Sequence, residues 1–568
     1  MGIGAKLTKL AEDPVLRRWL WLRLLRRVPR AVPFTPHCPP YFRPPVSESA
    51  SPSALAKLEA TAPHGTLTLP VPGGEVTVEA GCLDLFERAY DDGETLSALH
   101  RFAWLPLMPE VDHGWVEMLW QAWCAGSGQP DDGPAWEAYT AAERVANILD
   151  FARRRGLPGD TASTLRTLAA HGPAMVARLE YYGEHGTCNH LANNGRGLYR
   201  LGLKLGMADT ARAGLDILIK EAERLFPPSG VLREASTHYH LLYLRNYADC
   251  WLAARRHNRP EAGYLAALVQ RLWAVVPHLV LPGGLPLIGD ISPDSPPDFL
   301  SGLMPGGDMT QGWTGLLTPD ERETLARLRD GTVPVDTAVL AADGWWRGDF
   351  GRWSALWHVE PAGWRLPTGH GHEDLGAPEI HFDGVPLFID PGRGAYGESG
   401  EAALYASAAV HGTLQVDGHA PYPANKPYYD PAFRAAFGLG SPSAHADPSG
   451  FTLRHAGFSR LPGVAEIQRE WRFDGDALTI NDRVDGRGRH DVTRRLVLTM
   501  EPRRLSATSL EARLGRWRVV IGCDTALTAR PMRRWSAYGQ SVAGWAVEAE
   551  HAVTLPFTGT LTIVATAA

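Results

Sequence analysis

Side chains able to hold an anion or move a proton gather in three stretches of the sequence. The first, residues 188–197, reads CNHLANNGRG. On a helix, His190, Asn193, Asn194 and Gly197 fall on one face at i, i+3, i+4 and i+7. Amides, an imidazole and a glycine where a core face needs apolar groups predict the wall of a polar cleft. The plain alternative is Asn189 as a helix cap and His190 as a hydrogen-bonded, half-buried histidine. The second stretch, REASTHYH at 233–240, offers Ser236 or Thr237 as a cap. Tyr239 then sits in the first helical turn, by the positive end of the dipole. An isolated phenol titrates near ~10, so a catalytic tyrosine needs such help; the alternative is an aromatic anchor. The third stretch joins GHGHED (369–374), IDPG (389–392) and VHGT (410–413). His372, Asp390 and His411, spaced by 18 and 21 residues, can supply three zinc ligands, with water or another group in the fourth position.

The elements that must position these groups change character near residue 340. Before it, residues 136–155, 208–226, 238–257 and 264–279 carry helical periodicity, and 319–330 is a shorter helix with Thr318 as its cap. Long helices on short turns predict hairpins arranged in a ring or arc, and no tight repeat points to a solenoid. After it, apolar runs shorten and alternate, as at 353–359, 379–382, 386–389, 413–416, 464–473, 477–484, 492–499, 516–521 and 560–565. Asp-Gly turn signals stand at 383–384, 417–418, 474–475 and 485–486. Helices followed by strands predict an α+β multidomain chain ending in an antiparallel β-sandwich. Residues 1–80 read as an N-terminal helix and irregular wrap, 81–335 as the helical domain and 336–568 as the sandwich.

Composition narrows the function. Of 568 residues, 44% are hydrophobic and 21% charged, as in a globular protein. The net charge of −7 provides no global field for nucleic acid or an anionic membrane. No apolar run is long enough for a membrane span. Six cysteines without CxxC spacing predict isolated thiols. The opening, with Arg17, Arg18, Arg23, Arg26 and Arg27 around a short apolar run, lacks an export-signal pattern. The expectation is a cytoplasmic protein, with the periplasm as the alternative.

Together these stretches resemble the heparinase II/III-like polysaccharide lyases, which include heparin and oligoalginate lyases. The matching segments are 188–203, 234–249, LPLIGD at 285–290, HGHEDLGAPEIHFDGVPLFIDPG at 370–392 and AAVHGTLQVDG at 408–418. The resemblance implies an incomplete (α/α) toroid followed by the sandwich, and β-elimination at a uronic acid unit. Asn189 and His370 would hold the carboxylate. Tyr239 would be the base, the acid, or both in succession, with His190 the second acid/base; imidazole near ~6.5 and phenol near ~10 form a workable pair around neutral pH. His372, Asp390 and His411 would bind a zinc that braces the loop carrying His370. Asn193, which stands where some relatives carry an acid, Arg233 and Arg393 are the expected substrate contacts. Glu373 departs from the small residue expected after His372. The implied partner is an anionic uronic-acid-containing polysaccharide or oligosaccharide, including those of exopolysaccharide metabolism; a homodimer stays open. The rival readings are a uronate C5-epimerase, which uses the same groups without expelling O4, and a non-catalytic carbohydrate-binding protein.

Overall fold

The computed structural model describes residues 10–11, 13–27, 33–45, 48, 50, 55–365, 368–426 and 428–567. Part of the expected 1–80 wrap lies outside the described residues. Within it, α1 (Pro14–Leu24) is capped by Asp13 and sets Trp19 against Tyr428, ring centroids 4.7 Å apart. A hairpin of β1 (Thr66–Val71) and β2 (Gly74–Glu79) follows.

The helical half comprises α2 (Gly93–Arg101), α3 (His113–Ser127), α4 (Ala138–Arg155), α5 (Thr161–Ala177), α6 (His190–Leu205), α7 (Ala208–Leu225), α8 (Thr237–Arg256), α9 (Ala262–Trp273) and α10 (Pro319–Asp330), with shorter turns between. Successive helices pack as neighbours, α4 also touching α2 and α6, and α6 touching α8. They form an incomplete (α/α) toroid. Close approach in this ring depends on α6: a Cβ on Gly197 would lie 2.6 Å from that of Ala142 on α4. Gly197 is thus a packing glycine, which divides the polar face expected for α6. Thr318 caps α10 in a capping box with Glu321. The single helix expected over 264–279 breaks after Trp273, and a separate turn runs Val276–Leu279. Pro277 has no N–H to bond the carbonyl one turn back.

The second half is two antiparallel sheets. One orders β13 (Arg503–Arg504), β14 (Ser509–Leu514), β15 (Trp517–Cys523), β18 (Phe557–Ala567), β11 (Ala477–Gly486), β10 (Val464–Asp474), β9 (Gly450–His455) and β8 (Ser443–Asp447). The other orders β16 (Leu527–Ala537), β17 (Gln540–Thr554), β12 (Arg489–Leu498), β6 (Val385–Phe388), β5 (Pro378–Phe382), β4 (Trp353–His358) and β3 (Trp345–Phe350), with β7 (Leu414–Val416) also on β12. Alternation buries Ile467, Trp471 and Phe473 of β10 toward the partner sheet. There Trp357 of β4 lies 4.5 Å from Phe451 and 5.7 Å from Trp471, centroid to centroid. Asp383 and Gly384, at φ 48° and 78°, turn β5 into β6, a hairpin turn of the type Asp-Gly favours. Asp485-Gly486 does not turn: β11 runs through Gly486, opposite Val464.

Candidate active site

The meeting of the two halves assembles the three stretches. Asn189 immediately precedes α6, but its side chain does not cap the helix. Its Nδ2 lies 2.8 Å from Nε2 of His370, on the loop between β4 and β5. That loop is stitched to the helical half through backbone bonds: His370 N–H donates to Glu234 O, and Asp290 N–H donates to His370 O, both at 2.9 Å. Gly289 permits this crossing. At φ +79° it takes a conformation suited to glycine, and a Cβ there would meet Ala235 O at 2.5 Å and His370 O at 2.7 Å.

Ser236 caps α8 by accepting from Tyr239 N–H at 3.1 Å. Tyr239 therefore stands in the first turn, and its ring stacks on His370 with centroids 3.5 Å apart. Tyr396 donates from its hydroxyl to Ile291 O at 3.0 Å, so the Tyr239 hydroxyl donates to Tyr396 at 2.7 Å. Burial, reinforced by Tyr139, Asp290 and Glu94, pushes the Tyr239 pKa well above 10. Desolvation outweighs the helix dipole here. His190 stacks beside Tyr139 at 4.5 Å, and its Nδ1 lies 2.8 Å from Glu180 Oε1. Burial opposes its charge, yet Cys188 and Glu180 outweigh burial and raise its pKa well above 6.5. The expected neutral-pH pair is therefore corrected: at rest the phenol is neutral and the imidazole charged.

Asp290 ties this group to the donors behind it. Oδ2 accepts from His370 Nδ1 at 3.1 Å, while Oδ1 accepts from His372 Nε2 at 3.0 Å and from Arg393 at 3.1 Å. Burial opposes the charge of Asp290, but these two histidines outweigh it and hold the carboxyl far below the usual range. With Nε2 of His372 donating, its Nδ1 carries a lone pair. His411 Nδ1 donates to Ser407 O at 2.8 Å, which leaves a lone pair on Nε2. The two lone pairs face each other at 3.1 Å, with Asp390 Oδ1 3.5 Å from His411 Nε2. A cation between them removes the repulsion. A tetrahedral ion with bonds of ~2.0–2.1 Å would set its ligands roughly 3.3 Å apart, so the donor set fits one.

The remaining expected contacts are placed differently. Arg393 is committed, donating to Asp290, to Ala402 O and to Gly397 O. Asn193 is buried; its Oδ1 accepts from Arg196 at 3.3 Å, and its Nδ2 has no partner among the described residues. Arg233 lines a cavity with Glu234, Trp364, Arg365 and Tyr422, and no hydrogen bond joins it to Asn189, Tyr239 or His370 among the described residues. Glu373 joins the same cavity wall. Tyr396, Asp290 and Glu180 went unassigned in the sequence. LPLIGD carried a signal for Asp290, whereas Tyr396 sits in the loop PGRGAYG with no spacing to mark it.

This is a toroid-plus-sandwich protein with paired histidines at the junction of its halves. Residues 333–562 match the family model Heparinase II/III-like, C-terminal, and this part of the chain belongs to that family. The whole chain is similar in fold to heparinase III, at TM-score 0.60 and 14% identity over 85% of this chain and 79% of that one. The heparinase III BT4657 gene product gives 0.55 and 16%, over 85% and 80%. A mutant of heparan sulfate lyase HepC from Pedobacter heparinus gives 0.54 and 15%, over 85% and 78%. No curated protein sequence matched.

Proposed function

We propose that this protein is a polysaccharide or oligosaccharide lyase that cleaves at a uronic acid by β-elimination. The observation carrying the reading is the convergence of Asn189, Tyr239 and His370, three groups from distant segments, with the phenol stacked on the imidazole at 3.5 Å. The chemistry needs that convergence. Removing the C5 proton puts a second negative charge beside an existing carboxylate, and each fixed donor at such a developing oxyanion is worth ~2.7–4 kcal/mol. Asn189 and His370 supply donors from the two halves.

In this mechanism the phenolate form of Tyr239 takes the C5 proton. The C5–H electron pair becomes the C4–C5 double bond, and the C4–O bond breaks with its electrons leaving on O4. His190, charged at rest, or the newly protonated Tyr239 gives O4 its proton. Tyr396 can turn its hydroxyl from Ile291 O to the Tyr239 phenolate, which would stabilise that minority form. Zinc on His372, Asp390 and His411 would brace the protein, holding the loop of His370 through Asp290. The comparisons support the lyase class through fold alone.

A screen of alginate, heparan, chondroitin, hyaluronan and bacterial exopolysaccharides for ultraviolet-absorbing unsaturated uronate tests the reading. Tyr239→Phe should retain the fold and lose roughly 10²–10⁴-fold in turnover; near-parental turnover rejects the assignment. Deuterium uptake at C5 without chain cleavage would transfer it to an epimerase.

A further inference from the structure

The charges around Tyr239 and His190 carry information about the neighbours of the cleaved sugar. Resting on the lyase reading, we infer that the preferred glycan is unsulfated around the scissile bond, its uronate carboxylate being the one anion this site takes. The argument starts from the cations. Arg101 lies 4.9 Å from the Tyr139 ring, which stacks on His190. Its Nη1 is shared between Glu94 and Asp294, both at 2.9 Å. Arg393 is held by Asp290 and two backbone carbonyls, and His190 by Glu180. Arg196, beneath Asn193, is bound by Glu143 at 2.7 Å and Asp249 at 3.0 Å. These cations are already neutralised by protein carboxylates, and Glu137 adds another acid close to Arg101 and His190. The cavity behind the His370 loop repeats the balance: Arg233 and Arg365 share it with Glu234, Glu360, Glu373 and Asp374.

The hydrogen-bonding atoms left open lead to the same inference. Asn189 Oδ1, Asn246 Oδ1 and Asp294 Oδ1 are buried acceptors without a partner among the described residues, and Asn193 Nδ2 is an open donor. Asn193 shares a helical face with Asn189, and Asn246 shares one with Tyr239, at seven residues' spacing. Burial raises Asp294 to about 6 despite Arg101, which marks a carboxyl short of counter-charge. Sugar hydroxyls and acetamido N–H groups can donate to these acceptors. A sulfate ester offers acceptors alone, and beside these carboxylates it meets like charge, which costs several kcal/mol.

Matched chains test the inference on the full-length protein. Heparosan is compared with heparin, and unsulfated chondroitin with chondroitin sulfate, in kcat/KM for unsaturated uronate. The expected result is roughly tenfold or greater preference for the unsulfated member of each pair. Equal or faster cleavage of the sulfated member overturns the inference and leaves the lyase reading intact. Should no chain be cleaved, the lyase reading fails. Affinity of Tyr239→Phe for the same pairs then decides the charge preference separately: tighter binding of the unsulfated chain supports it, while tighter binding of heparin, or none of either, overturns it. Glu94→Gln combined with Asp294→Asn frees Arg101 and should narrow the discrimination; an unchanged ratio in a folded double variant counts against the cause assigned here.

Discussion

Two clusters in the β half hold donor types that metals favour, and they behave in opposite ways. Near the cleft, His372, Asp390 and His411 converge with imidazole lone pairs opposed at 3.1 Å. At the far end of the sandwich, Cys523, Asp524 and His551 converge as closely. There, however, Arg494 fills the centre, its Nη2 3.0 Å from Cys523 Sγ, 2.7 Å from His551 Nε2 and in contact with Asp524. Burial raises the Cys523 thiol to about 11, which keeps it from the thiolate form that ligates metals. Convergence of donor residues is therefore not enough. What distinguishes the clusters is whether a protein cation already answers the lone pairs.

Four variants can break or sharpen this contrast. The largest effect is expected from His411→Ala, which strands buried Asp390. Such a loss costs ~3–5 kcal/mol and should appear in thermal or urea unfolding together with loss of bound zinc. Undiminished zinc content by metal analysis would defeat the assignment of these ligands. Asp290→Asn removes the acceptor that orients His370 and His372, and should lower both zinc affinity and turnover by roughly 10–100-fold. A drop in one measurement alone would separate its two roles. Arg494→Met should destabilise by ~1–3 kcal/mol without changing zinc content; a second equivalent of zinc in that variant would show that the arginine alone bars the far cluster.

The smallest change concerns an imidazole with no second imidazole beside it. The folded pKa of His190 is raised, so the pair with Glu180 contributes stability fully below about 6.5. That contribution fades as pH rises through the folded value. Glu180→Gln should lower the His190 titration midpoint followed by NMR and flatten this dependence. An unmoved midpoint would assign the shift to Cys188 instead.

Legibility in the sequence followed the range of the forces involved. Periodicity placed α4, α7, α8 and strands such as β10 and β11 well, because burial repeats along one element. Asn189, Tyr239 and His370 were recognisable through motifs, though their meeting depends on contacts between segments far apart in the chain. Gly197 misled because a glycine on a polar face also serves helix approach. Arg393 misled because its partners lie at 290, 397 and 402. Tyr396 was invisible because its value arises from one hydroxyl–hydroxyl contact across 157 residues. The reversal at His190 and Tyr239 came from burial and Glu180, neither of which spacing reveals.

The tip between β16 and β17 deserves a mechanical reading. Tyr538 there reaches Asp92 in the helical half with its hydroxyl at 3.2 Å and accepts from Tyr396 N–H at 3.1 Å, while Gly539 presses on Gly73 so tightly that a Cβ would come within 2.5 Å. The tip acts as a strut, fixing the gap between the two bodies and carrying Tyr396 on the same support. Rocking one body against the other would disturb the partner of Tyr239 along with the width of the opening, so grip and reactivity share a single mechanical setting.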